Sequence, residues 1–234
     1  MHKDFGISFD GKHSFRDYGL ILNDKIIGSP SVKTYEIDVP YRDGKIDVTG
    51  KTNGHVCYDN RSLRFTFTCL KPLSEWPRIY SELLNTFHGK RMQVICDDDI
   101  AFYYSARLNV NQWESDKTIG KIVIEGDAEP YKYDVSSSAV DWEWDVFDFE
   151  EGIINEMNQL IVSGTRTITL ICRQKQMFPE FTCSAAMMVT FEGETYNLKA
   201  GTQKIFDMFL TEGNNELTFT GNGAVTIDYI GGSL

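Results

Sequence analysis

The stretch RSLRFTFTCL, residues 61–70, decides the fold class of this chain. Its apolar residues alternate with charged or hydroxyl residues: Leu63, Phe65, Phe67 and Cys69. Side chains two positions apart lie on the same face of a strand, so one face is apolar and the other polar. The same alternation recurs on both sides of this stretch, and the sequence therefore predicts a mainly β protein.

Residues 72–90, PLSEWPRIYSELLNTFHGK, depart from this alternation. Apolar residues here recur every three or four positions, the spacing of a helix with one buried face. We expect Ser74 to cap the start of this helix and Gly89 to end it. The chain is predicted to contain this one α-helix.

Residues 38–50, DVPYRDGKIDVTG, precede the opening stretch and predict a strand, a turn and a second strand. Pro40 fixes its own φ, and Asp43-Gly44 is a pair favoured in tight turns. Alternation restarts at once, which would return Ile46 and Val48 to the core face. An Arg-Asp pair in such a turn does not indicate catalysis.

Further strands are predicted after the helix, with Asp97 to Asp99 as a solvated hairpin turn rather than a calcium loop. The polar segment DVSSSAV, residues 134–140, is the best candidate boundary between two domains, 1–133 and 134–234. From residue 161 onward, short strands separated by turn signals predict a β-sandwich, with GNN (213–215) and GNG (221–223) as turns.

The composition excludes several classes of function. A net charge of -11 and a pI near 4.8 would repel a phosphate backbone, which disfavours specific nucleic-acid binding. The sequence has no apolar run of membrane-spanning length and no signal peptide, so we expect a soluble chain made in the cytoplasm. The five cysteines are widely spaced and are predicted to be buried, reduced thiols.

Residues that could do chemistry do not form a recognisable site. The four histidines belong to no metal or nucleophile motif, and His55 lies two residues from Cys57 without an identifiable orienting group. The carboxylates between Asp141 and Glu150 alternate with aromatics, as on the solvent face of a strand, and do not favour a glycosidase. No catalytic residue, metal site or cofactor is predicted.

A binding function remains open as an alternative. Trp142, Trp144 and Tyr196 could stack on the sugar rings of a cell-wall carbohydrate and act in host adhesion. Large aromatics on a strand face more often belong to a sandwich core, so this saccharide platform is the second hypothesis.

Six groups of residues occur in a fixed order along nearly the whole chain. The first is Phe9, Gly11, Ser14, Asp17, Tyr18, Gly19 and Leu20; the second is Val39, Pro40, Arg42, Gly44, Ile46, Asp47 and Thr49. YDNRSLRFTF, the helix, DAEPYKY and a closing GAVTIDYIGGSL follow. Together they resemble the distal tail protein (Dit) family of long-tailed phages that infect Gram-positive bacteria. Tyr41 stands where that family often has a small residue.

The resemblance implies a structural virion protein of the tail tip, or baseplate, without enzymatic activity, encoded by a phage or prophage. It implies an N-terminal β-sandwich or barrel-like domain with one helix, assembled into a sixfold ring, and a galectin-like or carbohydrate-module-like C-terminal β-sandwich. The ring would join the tail tube protein to the tail-associated fibre or lysin protein and could dock a receptor-binding protein. DNA would pass through its channel without specific binding.

The turn in residues 38–50 is where we expect the subunits of such a ring to meet. The side chains of Tyr41, Arg42 and Asp43 are not needed by the turn itself, so they are free to contact a neighbouring copy. These three residues are the predicted subunit interface.

Overall fold

The computed structural model divides the chain into two units. The first comprises Met1–Asp99 and Tyr104–Pro130 with the terminal Leu234, and the second comprises Ile100–Tyr103 and Tyr131–Ser233. The described residues are 5–51, 56–115, 120–135, 157–173, 175 and 177–234. Strand accounts for 57% of the described residues and helix for 10%, which confirms the mainly β fold class.

The first unit is built on one antiparallel sheet and two helices. Its elements are β1 Ile7–Phe9, β2 Lys12–His13, α1 Ser14–Tyr18, β3 Leu20–Ile27, β4 Glu36–Ile37, β5 Ile46–Asp47, β6 Arg61–Cys69, a 3₁₀ turn Leu73–Glu75, α2 Trp76–Phe87, β7 Arg91–Cys96, β8 Phe102–Ser115 and β9 Gly120–Asp134. The sheet order is β2-β1-β7-β8-β9-β6-β3, and β4 and β5 form a separate two-stranded sheet. The ends of β8 and β9 extend into the second unit.

The strand that decided the fold class is confirmed. Every other residue of β6 from Arg61 to Cys69 is buried, and β6 pairs with β9 so that Phe65 lies opposite Ile124. Phe9 of β1 contacts Phe65 and Phe87, with ring centroids 6.0 and 5.0 Å apart. The core of this unit therefore joins the sheet to α2.

Helix α2 is confirmed, but it begins differently from the prediction. Its buried residues are Trp76, Ile79, Leu83 and Phe87. Ser74 lies within the preceding 3₁₀ turn, and no side chain caps the start of α2. The expected Ser74 cap is wrong because the chain is already helical at that residue, whereas a capping residue needs an extended backbone.

A second helix, the five-residue α1, was not predicted, because its capping residue is a histidine. Nδ1 of His13 accepts hydrogen bonds from the amides of Phe15 and Arg16, each at 3.2 Å. Nε2 lies 3.0 Å from Oδ2 of Asp97. Because Nδ1 accepts, Nε2 carries the proton and donates to Asp97. Gly19, with φ of 66°, ends the helix.

Replacing His13 by alanine should lower the free energy of unfolding by about 2–3 kcal/mol, because a helix cap and a buried hydrogen bond to a carboxylate are lost together. Urea denaturation followed by circular dichroism measures the change. Lys12→Ala, at the adjacent exposed position, is the control and should stay within about 0.5 kcal/mol of the parent. Equal stability of the two variants would show that His13 does not hold this corner of the fold.

The second unit is a curled six-stranded sheet. Its elements are β10 Leu160–Cys172, β11 Glu180–Cys183, β12 Met187–Phe191, β13 Glu194–Leu198, β14 Gly201–Lys204, β15 Gly213–Asp228 and β16 Gly232–Ser233. The sheet order is β13-β12-β15-β11-β14, β10 also pairs with β15, and β16 pairs with the end of β9. Thirteen residue pairs join β10 to β15. The sandwich predicted here is consistent with this curled sheet.

The two segments predicted as turns, GNN and GNG, lie within strand β15. Along β15 the partner changes from β12, up to Gly221, to β11, from Val225. Gly221 and Gly223 have φ of 149° and 153°, which most side chains avoid. A Cβ on Gly221 would lie 2.7 Å from Cβ of Met187. GNG therefore lies inside a strand, at the point where β15 changes its partner from β12 to β11, and the turn prediction is wrong.

Candidate functional site

Among the described residues, two buried cysteine thiols and two histidine side chains have structural roles. Burial raises the pKa of the Cys96 and Cys172 thiols to about 12, so both stay protonated at neutral pH. His13 is committed to the α1 cap, and Nδ1 of His88 accepts from the amide of Val110. The part of the chain that the structure describes holds no cluster of three potential metal ligands.

The acidic triplet closes the β7–β8 hairpin. The amide of Asp99 donates to the carbonyl of Cys96 at 2.9 Å. The carboxylate of Asp97 accepts from the amide of Gly6 at 2.8 Å and faces His13, and Asp98 forms an ion pair with Lys25. The triplet supports a hairpin turn and is not arranged around a cation.

Residues 31–51, which we call the arm, stand outside the core of the first unit. The arm contains β4 and β5 and contributes no residue to the core cluster. Its base is held by main-chain hydrogen bonds from Lys33 to Cys57 and from Asp59 to Ser31, at 2.9 and 2.8 Å. Among the described residues, 31–47 are exposed except for Val39 and Ile46, which are half-buried.

The arm is amphipathic. Ile37 pairs directly with Ile46, and the amide of Val48 donates to the carbonyl of Tyr35. Because side chains alternate along a strand, these four residues share one face. The other face carries Glu36 and Asp47, opposite each other in the register, and Lys45 pairs with Glu36 at 3.0 Å.

The apolar face of the arm is only partly buried in the part of the chain that the structure describes. Tyr35 and Ile37 are 60% and 51% exposed. Ile46 and Val48 are half-buried and lie outside the core cluster, so the expectation that they return to the core is wrong. The alternation predicted the strands correctly, but it could not indicate whether their apolar side meets the core of the same chain.

The tip of the arm is a tight turn centred three residues before the predicted Asp43-Gly44 pair. The amide of Arg42 donates to the carbonyl of Val39 at 3.2 Å, so Pro40 and Tyr41 are the central residues. Tyr41 has φ of 65°, as the third position of a type II turn requires, and this position is normally glycine. The Tyr41 side chain is fully exposed. A large aromatic side chain thus occupies a strained backbone position and is fully exposed to solvent there.

Two substitutions separate the strain at Tyr41 from its side chain. Tyr41→Gly should be more stable than Tyr41→Ala by about 1 kcal/mol, because only glycine adopts positive φ freely. Both variants lack the ring. If the ring contacts a partner, both should lose assembly equally despite their difference in thermal stability. A variant that assembles as the parent does would show that the ring has no such contact.

Arg42 and Asp43 are exposed beside Tyr41 at the tip. Among the described residues, no ion pair joins Arg42 to Asp43. The three predicted interface residues therefore lie together at an exposed tip, and their contact with a neighbouring copy stays a prediction.

The predicted saccharide residues are not brought together by the described part of the chain. Trp142 and Trp144 lie outside the described residues. Tyr196 is half-buried, packs against the second core and donates its hydroxyl to the carbonyl of Asp207 at 3.4 Å. A platform formed by the three aromatics stays a prediction.

Sequence reasoning missed an exposed aromatic cluster in the second unit. The chain from residue 161 onward was predicted to form short strands, but β14 ends at Lys204 and a turn follows. Phe206 and Phe209 then face solvent together with Phe178. The signal available in the sequence was the Phe-x-x-Phe spacing, which a strand would place on opposite faces.

Comparisons with known proteins bear on the fold. No protein-family model and no curated protein matches the sequence. The chain is similar to the crystal structure of the phage SPP1 Dit (gp 19.1) protein, described as a paradigm of the hub adsorption apparatus in phages that infect Gram-positive bacteria. The identity is 14%, the match covers 98% of this chain and 99% of that one, and the TM-score is 0.65. The chain therefore has the fold of a Dit protein, the family that its ordered motifs resemble.

Proposed function

We propose that this chain is a structural protein of a phage tail tip whose copies close into a ring. The observation that carries the proposal is the arm, whose apolar face is uncovered in a chain with the fold of a hub protein. The ring joins the tail tube protein to the tail-associated fibre or lysin protein, and six copies surround the channel.

The apolar face of the arm supports association with a second copy of the same chain. An isolated two-stranded ribbon is marginally stable in water, and it gains stability when its apolar face packs against another surface. In a closed ring every copy offers one arm and receives one, so no apolar face remains uncovered. Tyr41, Arg42 and Asp43 at the tip are then subunit contacts.

The charge of the chain is compatible with a channel for DNA. A net charge of -11 disfavours adhesion of a phosphate backbone to the ring. Among the described residues no helix is long and apolar enough to cross a bilayer. The charge supports a role in which DNA passes by without specific binding.

Co-expression tests the proposed position in the tail. The chain should co-purify with the tail tube protein and with the tail-associated protein encoded beside it, and omission of either should leave the complex with the other intact. If the chain formed rings but bound neither protein, the hub role would be wrong although ring formation would stand.

A further inference from the structure

Three phenylalanines form an exposed cluster on the second unit, which we call the phenylalanine triad: Phe178, Phe206 and Phe209. They are 43%, 70% and 47% exposed. The ring of Phe178 lies 5.8 Å from that of Phe206 and 5.7 Å from that of Phe209. A contiguous apolar patch on the surface of a protein is often functional.

The backbone beneath the triad fixes it in place. Met177 and Leu210, each next to a phenylalanine of the triad, are buried and joined by two main-chain hydrogen bonds of 3.3 and 2.9 Å. Phe206 lies in a turn closed from Met208 to Ile205 at 3.3 Å, and Met208 is buried too. The residues next to the three phenylalanines are therefore fixed by the core. The exposure of the rings is a property of the folded unit.

The geometry of the triad argues against a saccharide as its occupant. The planes of Phe206 and Phe209 are inclined to that of Phe178 by 59° and 70°. They do not form the flat face on which a sugar ring stacks, and phenylalanine has no polar group to bind hydroxyls.

The charges around the triad indicate which kind of partner binds there. Asp207 lies between two of the phenylalanines and Glu212 follows the same loop; both are exposed, and neither has an ion-pair partner among the described residues. The adjacent Lys204 is already paired with Glu180 at 3.4 Å. The rim is thus acidic, and a second copy of this chain, with a net charge of -11, would meet it with like charge.

We propose that the phenylalanine triad is the apolar centre of a docking surface for a different protein, one that inserts large apolar side chains flanked by lysine or arginine. Aromatic anchors at the centre and complementary charges at the rim are the usual arrangement of such sites. This site lies in the second unit and does not depend on the arm or on ring formation.

A peptide array tests the proposal with the full chain as the probe. Immobilised 12-residue peptides carry either a Leu/Phe centre or a Ser/Gly centre, each flanked by lysines or by glutamates. Only the apolar, lysine-flanked class should retain the chain. Titration of the strongest peptide should show at least a tenfold loss of affinity for Phe206→Ser with Phe209→Ser, and none for Met188→Ser, an exposed control in the same unit.

Charge reversal and stability complete the test. Asp207→Lys with Glu212→Lys should shift preference to the glutamate-flanked class. Equal retention of all four classes, or unchanged binding by the serine variant, would overturn the proposal. So would wall-polysaccharide binding that the serine variant loses, which would assign the triad to sugars. A clear fall in the thermal midpoint of that variant would mean that the chain itself covers the triad.

Discussion

Replacing Phe9 by alanine is expected to destabilise the first unit by about 3–5 kcal/mol, because the ring is fully buried and its removal leaves a cavity. Phe9 lies between Phe65 of the sheet and Phe87 of α2. Phe87 in turn contacts Tyr18 of α1, with ring centroids 5.5 Å apart. Removal of the Phe9 ring should therefore weaken the packing of the sheet against both helices.

Native-state hydrogen exchange of the β6 amides, combined with urea denaturation, measures the effect of Phe9→Ala. The control is Leu73→Ala, since Leu73 is exposed and its truncation should change stability by no more than about 0.5 kcal/mol. If Phe9→Ala behaved like this control, Phe9 would not be the centre of the core as described.

Replacing Ile37 by aspartate is expected to abolish assembly while the chain stays folded. Ile37 is 51% exposed on the apolar face of the arm, so a charge there costs the isolated chain little. When a second copy covers that face, the carboxylate is buried without a partner, and an unpaired buried charge costs several kcal/mol. The expected loss of association is more than a hundredfold.

The matched control for Ile37→Asp lies on the opposite face of the same ribbon. Asp47→Asn removes a charge instead of adding one, on the polar side of the arm. The hydrogen bond from the Thr49 side chain holds the pKa of Asp47 below its usual range, so this carboxylate is ionised at neutral pH. Sedimentation velocity should show assembly for Asp47→Asn and only monomer for Ile37→Asp. Equal sedimentation of the two variants would remove the apolar face from the interface.

Much of the fold could be predicted where local pattern and burial agree. The alternation in β6 and the helical spacing in α2 both identify faces that pack on the core, so both predictions are confirmed. Histidine is not among the residues expected at a helix start, so α1 was missed. Gly221 and Gly223 were predicted as a turn, because the sequence does not show that β15 changes its partner there from β12 to β11.

The candidate sites were less predictable, because exposure is a tertiary property. Tyr35, Ile37, Ile46 and Val48 follow the same alternation as a core strand, and only the structure shows that they belong to neither core cluster of the described residues. The same holds for Phe206 and Phe209, whose apolar neighbours Met208 and Leu210 are buried. Tyr41 is the exception, since its side chain was predicted to be free at the turn and is fully exposed in the structure.

The native mass of the purified parent chain tests the central claim most directly. Six copies of the 26.7 kDa chain have a mass of about 160 kDa, and the account predicts this species in native mass spectrometry, alone or on addition of the tail tube protein. The Ile37→Asp chain should remain at the monomer mass under both conditions. A parent chain that stays monomeric at every concentration, with and without the tail tube protein, would contradict the account.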